Sequence, residues 1–525
     1  MTAELGDTAD SLLGKLGFES WRVGQREAVE AALGGRDSLI VMPTGGGKSL
    51  CYQLPGLASE DLTIVVSPLI ALMRDQWRRL TDGGHPVTMI ASGMGDEEAR
   101  AALADVRGGA RIVYCSPERF AAPSFLAAVA ERRVDLMAID EAHCLSEWGH
   151  DFRPDYLRLP EVVERLGRPT VMACTATATT EVAREIVGRL GLRDPLMVSS
   201  GFDRPNLSFD VVALEGRGAK ARKMALLEQG LSEAENRPAI VYCGTRRDTD
   251  EVAEALRATG LAAVPYHAGM APPARSEAQR RFMAGEAEVV VATNAFGMGV
   301  DKADVRSVWH VTIPTSVEAY YQEAGRAGRD GLPARAVLLA MRSDLGRLIR
   351  FNEQRGGDPD LAIARERGWR AFRVVKSFVF SEDCRRQRLL RHFGDSSRPR
   401  PLGRCCDVCD PQGWLPDPET IEIRPKRASA KAAAPADVSS ADEPLFQALR
   451  AWRREAADGK PAFTVAHDST LRAIAAARPS TPERLLEIRG IGPSFISRHA
   501  AAVLDVVEGA ADGDRALPLA RPDAA

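Results

Sequence analysis

A short strand-like run, Ser38 to Met42, leads directly into Pro43-Thr44-Gly45-Gly46-Gly47-Lys48-Ser49, and a helical pattern follows. A strand that feeds a helix through a glycine-rich turn narrows the fold to layered α/β architecture. Glycines let such a loop wrap phosphates closely. The backbone N–H groups of Thr44, Gly45, Gly46 and Gly47 and the helix N-terminus can bind the anion, Lys48 can reach the outer phosphates, and Ser49 can ligate Mg²⁺. The strict G-x-x-x-x-G-K-[ST] pattern is not met, because Met42 occupies its first position; the plainer alternative is a tight turn that holds no nucleotide. A second run, Asp135 to Ile139, ends in Asp140-Glu141-Ala142-His143. At the C-terminal edge of a strand, Asp140 can hold Mg²⁺ and Glu141 can orient or deprotonate an attacking water. His143 has no other ligand types at ligand spacing, so it reads as a coupling residue rather than a metal ligand.

Between these landmarks strand-like and helix-like segments alternate. Leu62 to Ser67, Arg111 to Tyr114 and Thr170 to Cys174 complete a first set of strands. The rhythm restarts after Gly201 with Ala239 to Cys243, Val289 to Ala292, Arg306 to Val311 and Ala336 to Ala340, and a helix over Thr249 to Ala258. Alternation of this kind means βαβ units, so two parallel-sheet α/β domains in tandem are expected, at 1–200 and 201–345. A helical subdomain follows at 346–410. Within it, residues 364–404 carry twelve Lys plus Arg against four Asp plus Glu, a local charge of 12 − 4 = +8. Residues 411–441 are rich in Pro, Ala and Ser and read as a flexible linker. A compact helical unit is expected at 442–508 and a disordered tail at 509–525.

At 525 residues, with 45% hydrophobic and 27% charged residues, the chain has material for several cores and is not a disordered polymer. Its formal charge of −3 means that any nucleic acid must be held by local basic patches. The first residues are acidic with no apolar signal core, and no run approaches the ~18 apolar residues of a membrane span, so a cytoplasmic protein with no membrane partner is expected. Of the nine cysteines, four lie between Cys384 and Cys409, which points to a metal rather than to disulfides.

The phosphate loop and the DEAH sequence resemble those of superfamily 2 helicases, and the flanking residues narrow the likeness. Cys144-Leu-Ser-Glu-Trp-Gly-His-Asp-Phe-Arg-Pro154 is similar to the aromatic-rich loop of RecQ-family DNA helicases. Leu16 to Gln25 resembles the family's motif 0, Ser67 to Met73 motif Ia, Thr175-Ala176-Thr177-Ala178 motif III, Thr293 to Lys302 motif V, and Tyr321 to Arg329 motif VI. The likeness runs over residues 10–409 and implies two RecA-like lobes. It implies nucleotide contacts from Arg22, Gln25 (on the adenine) and Asp301, and ATP hydrolysis carried by Lys48, Asp140, Glu141, Gln322, Arg326 and Arg329. Single-stranded DNA is expected at Trp148, His150, Phe152 and Arg153, whose rings can stack on unpaired bases. Core packing is the plainer reading of Trp148 and Phe152, and a solvated helix face that of the arginines.

Cys384, Cys405, Cys406 and Cys409 suit tetrahedral Zn²⁺ in a closed, structural site. RecQ-like proteins place one Cys on a helix and three more as Cys-x-x-Cys-x-x-Cys. Here Gly403 stands three residues before Cys406, and the extra thiol is the adjacent Cys405. The fourth ligand is therefore open between Cys405, His392 and none. The segment 442–508, with Ile488-Arg489-Gly490-Ile491-Gly492-Pro493, resembles an HRDC domain. The resemblance implies an ATP-, Mg²⁺- and Zn²⁺-dependent DNA helicase acting on single strands and duplex or fork, moving 3′ to 5′, in recombination and repair. Its rivals are an RNA helicase with the same core and an ATP-gated DNA-binding or strand-annealing protein. The family commonly carries a winged-helix domain after the zinc segment, whereas about thirty linker-like residues separate Cys409 from Asp442 here.

Overall fold

The structure is a computed structural model and describes all residues except 1, 44, 147–151, 298–301, 355–361, 412, 422–441, 458–464, 467, 489–490 and 512–525. Two units divide the chain, Met1–Ile423 and Arg424–Ala525.

The first unit contains both sheets. Strands β1 (Ser38–Val41), β2 (Leu62–Val66), β3 (Val87–Ile90), β4 (Ile112–Cys115), β5 (Val134–Ile139), β6 (Thr170–Thr175) and β7 (Leu196–Ser199) form a seven-stranded sheet in the order β3-β4-β2-β5-β6-β1-β7. Strands β8 (Leu207–Leu214), β9 (Ala239–Tyr242), β10 (Ala263–Tyr266), β11 (Val289–Ala292), β12 (Ser307–His310) and β13 (Ala334–Met341) form the second, ordered β10-β11-β9-β12-β13-β8. All of the ladders are parallel. β1, β2, β4, β9 and β11 are buried along their whole length, as strands covered by helices on both faces must be. All nine strands expected from sequence are present, and the four not anticipated, β3, β7, β8 and β10, are the four sheet edges.

After β13 come helices Arg342–Gln354, Ala362–Val379 and Arg385–His392. The last leads through Phe393, whose ring stacks on Phe202 at 4.5 Å and lies 4.8 Å from Tyr321. The zinc segment extends the second sheet: the Phe209 N–H donates to the Cys405 carbonyl at 3.1 Å, and the Val211 N–H to Asp407 at 3.1 Å. The edge of β8 is thereby covered.

The expected linker begins later than composition suggests. Trp414, Leu415 and Ile421 pack on the core of the second lobe. The Trp414 ring meets Trp309 edge-on at 5.6 Å under the Arg335 guanidinium, and its Nε1–H donates to Asp210 at 3.2 Å. Three apolar side chains in a Pro-rich stretch are enough to seat it, because the surface of the helix Ala219–Ser232 and β12 is there to receive them. The remainder, 422–441, lies outside the described residues. The second unit is a small helical body of Glu443–Ala456, Asp468–Ala477, Pro482–Leu486 and Pro493–Ala511 around Leu449, Leu471, Ile474 and Val503. Its last helix takes in 509–511 of the expected tail.

Candidate active site

The phosphate loop leaves β1 with Gly45 and Gly47 in left-handed conformations, φ 81° and 84°. At Gly47 only glycine fits: a Cβ there would lie 2.2 Å from Gln25 Nε2. Gln25, buried, donates that N–H to the Gly47 carbonyl at 3.1 Å and accepts from the Arg22 amide at 2.8 Å; the Arg22 guanidinium donates to the Gly45 carbonyl. The motif 0 residues thus brace the loop from outside. Lys48 Nζ donates to the Met42 carbonyl at 2.9 Å, and Ser49 Oγ accepts from Gln76 at 2.9 Å. Gln76, itself held by the Tyr52 hydroxyl at 3.0 Å, was not singled out in the sequence. Thr44 and Asp301 lie outside the described residues, as do Trp148 and His150.

Asp140, directly after β5, is buried. Burial, reinforced by the Glu141 charge and opposed by Lys48, raises its carboxyl to about 7. The oxygen donors of Asp140 and Ser49 are of the hard type that Mg²⁺ takes. Glu141 sits at φ 50°, a strained conformation for a non-glycine residue. His143 lies 3.2 Å from Glu141 Oε2 and 3.0 Å from Thr175 Oγ1, and Thr175 also accepts from the Thr177 amide at 3.2 Å. Burial alone would push the imidazole down, but Cys144 and Glu141 beside it raise it to about 10. The histidine therefore touches both the DEAH residues and the Thr175–Ala178 segment.

The arginines come from the other lobe. A Cβ on Gly45 would lie 3.4 Å from Arg329 Cγ, so Arg329 packs on the phosphate loop itself. Arg326 is buried and donates to the Gly297 carbonyl. It also faces Tyr242, whose hydroxyl burial pushes up to about 12 against the pull of that charge. The turn between them is tied by Arg204, which donates to the carbonyls of Gly325, Ala327 and Gly328 at 3.1, 3.0 and 3.2 Å. Gln322 is half-buried in the helix Val317–Ala324. Phe152 and Arg153 are half-buried too; the Arg153 amide donates to Cys144 at 2.9 Å, and the Phe152 ring lies under Arg367, 5.5 Å from its guanidinium.

The sulfurs of Cys384, Cys405, Cys406 and Cys409 all lie within 4.8 Å of one another, Cys405 included. His392 points elsewhere, 2.7 Å from Glu318, so it is not the fourth member. Burial opposes ionisation of Cys384, but the Gln387 amide and the neighbouring thiols outweigh it and lower its pKa. Burial and then the Cys384 charge push Cys405 up to about 11. Four thiols that cannot all ionise without a cation are a fit for Zn²⁺. Five of the segment's twelve basic residues form ion pairs: Arg370 with Glu181, Arg385 with Asp407, Arg386 with Asp203, Arg388 with Asp383 and Arg404 with Asp210.

The DEAD/DEAH box helicase family matches residues 22–186, the helicase conserved C-terminal domain 222–331, the RecQ zinc-binding family 342–410 and the HRDC domain 442–507. The ATP-dependent DNA helicase RecQ of Bacillus subtilis is 39% identical over 406 residues, which cover 77% of this chain and 67% of that protein. The chain belongs to the RecQ helicase family. The ATP-dependent DNA helicase RecQ of Pasteurella multocida is 39% identical over 76% of this chain, but the match takes in only 62% of the relative's own length. Among solved structures, the DUF1998 helicase MrfA bound to DNA and AMPPNP superposes with a TM-score of 0.52 at 21% identity, covering 66% of this chain and 52% of its own, a likeness of fold. Among the described residues no helix is long and apolar enough to cross a membrane.

Proposed function

We propose that the chain is an ATP-dependent DNA helicase of the RecQ type, which moves along single-stranded DNA and unwinds duplex or forked DNA in recombination and repair. The observation that carries this is Arg329 of the second lobe lying against Gly45 of the first. An ATP between them would touch both lobes, so binding and hydrolysis would change the lobe spacing, which is how hydrolysis becomes movement. Gln25 and Arg22 would hold the nucleotide base, Gly45 to Ser49 its phosphates, and Asp140 with Ser49 a Mg²⁺ ion. When bound, that ion supplies charge neutralisation on the phosphates. Glu141 would take the proton of the attacking water, and Arg326 and Arg329 would meet the charge that grows on the transferred phosphoryl group. His143 and Thr175 would pass the state of the cleft to the loop at Phe152. Cys384, Cys405, Cys406 and Cys409 would hold Zn²⁺ in a structural role. The 3′ to 5′ direction and the cytoplasmic location rest on the family resemblance and the sequence.

Single-stranded DNA should stimulate ATP hydrolysis, RNA of the same sequence should not, and Lys48→Ala should abolish both basal and stimulated turnover. Stimulation by RNA alone would favour the rival RNA helicase.

A further inference from the structure

The zinc-binding helices touch the two lobes in different ways. Toward the second lobe the contacts are buried. Arg386, 1% exposed in its side chain, pairs with Asp203 at 2.6 Å and lies over the Phe209 ring. Phe378, on the helix Ala362–Val379, packs 5.3 Å from Tyr320 of the helix Val317–Ala324, which leads to Gln322, Arg326 and Arg329. Toward the first lobe the same helix offers more open contacts among the described residues. Arg370 pairs with Glu181 at 2.7 Å, both side chains about half exposed at 52% and 42%, and Arg367 lies over Phe152. Arg367 and Arg370 stand three apart and share a helix face. Glu181 belongs to the helix Thr180–Arg189, whose Glu185 accepts from Ser146 at the start of the aromatic-rich loop.

Exposed ion pairs and partly buried cation–π contacts are more easily broken than buried ion pairs. When the lobes move, the helix Ala362–Val379 should travel with the second lobe, and its grip on Phe152 should be the contact that gives. A base stacking on Phe152 needs a face of the ring that Arg367 lies over. Arg367 lies about 11 residues, roughly 16 Å of helix, from Phe378, so one rigid element reaches from the loop to the arginine-bearing helix.

From this geometry we infer that Arg367 is a positioning residue that holds the Phe152 ring when no DNA is bound, and that single-stranded DNA and the guanidinium compete for that ring. Resting on the helicase reading above, this adds a residue from the zinc-binding subdomain to the regulation of that same site. Losing the contact frees the Phe152 ring before DNA arrives. Arg367→Ala should therefore raise the DNA-independent ATPase about two- to fivefold, a population shift of the size that a lost cation–π contact supports. By linkage it should lower the DNA concentration for half-maximal stimulation by a similar factor, and leave the DNA-saturated rate unchanged. Arg367→Lys, which keeps a cation over the ring, should behave as the unaltered protein does. Zinc content and unfolding temperature, measured on each variant, should match the parent. An unchanged basal rate and half-saturation, or basal and saturated rates that fall in parallel, would overturn the inference, as would a lysine variant indistinguishable from the alanine one. If the unaltered protein shows DNA-stimulated ATPase and Arg367→Ala does not differ from it, only this inference fails. Absence of DNA stimulation in the unaltered protein would sink the helicase reading itself.

Discussion

Replacing Arg386 with Met should loosen the zinc segment from the second lobe. The Arg386 guanidinium is buried and donates to Asp203 at 2.6 Å, to the Arg204 carbonyl at 2.7 Å and to the Leu207 carbonyl. Methionine keeps most of the apolar stem against Phe209 but leaves a partly buried carboxylate and two carbonyls short of a donor. Removing one partner of a buried pair costs about 3–5 kcal/mol. The lower end applies, because Asp203 keeps the Arg400 amide at 2.8 Å. About 3 kcal/mol is a little over two factors of ten in the opening equilibrium. Hydrogen exchange reads this directly. The amides of Phe209 and Val211 are bonded to the zinc segment, while others on β8 face β13 within the sheet. In Arg386→Met the outward amides should exchange about a hundredfold faster, and those bonded to β13 should hold their protection as an internal control. Equal protection in variant and parent would refute the reading of Arg386 as the weld, and equal loss along all of β8 would mean that the lobe itself is unfolding.

Gly47→Ala should place a methyl group against Gln25 and force a left-handed residue at a cost of about 1–2 kcal/mol, so ATP affinity measured with a fluorescent analogue should fall by roughly tenfold or more. Arg329→Ala should lower kcat about a thousandfold or more with a much smaller change in KM, the pattern of a charge that acts in the transition state; steady-state ATPase assays separate the two. Metal analysis should find about one zinc per chain, and Cys406→Ser should lower zinc content and solubility together, since structural zinc contributes folding energy. A soluble, metal-free and active variant would remove the structural site.

The central strands were legible because burial on both faces writes them as continuous apolar runs, as in Ile112 to Cys115 or Val289 to Ala292. Edge strands carry weaker marks: β10 contains Pro265, which only an edge tolerates, and β8 carries Ser208 and the buried Asp210, whose partners Arg404 and Trp414 lie far along the chain. The same division holds at the site. Residues whose chemistry depends on near neighbours, the phosphate loop and Asp140-Glu141, could be read directly. Gln76 on Ser49, Arg204 on the turn after Gly325, and Arg367 on Phe152 exist only through tertiary packing, and nothing local marks them. Cys405 is intermediate: its type pointed to metal, but only the fold shows its sulfur beside the other three while His392 turns to Glu318.

The most direct test of the account is strand displacement from a short duplex carrying a 3′ single-stranded overhang, with the zinc-loaded chain, ATP and Mg²⁺, and Lys48→Ala as the control. Displacement that needs ATP, is lost in Lys48→Ala and fails on a 5′ overhang is the predicted result. DNA-stimulated ATP hydrolysis with no displaced strand on any overhang would contradict it and leave an ATP-gated DNA-binding protein.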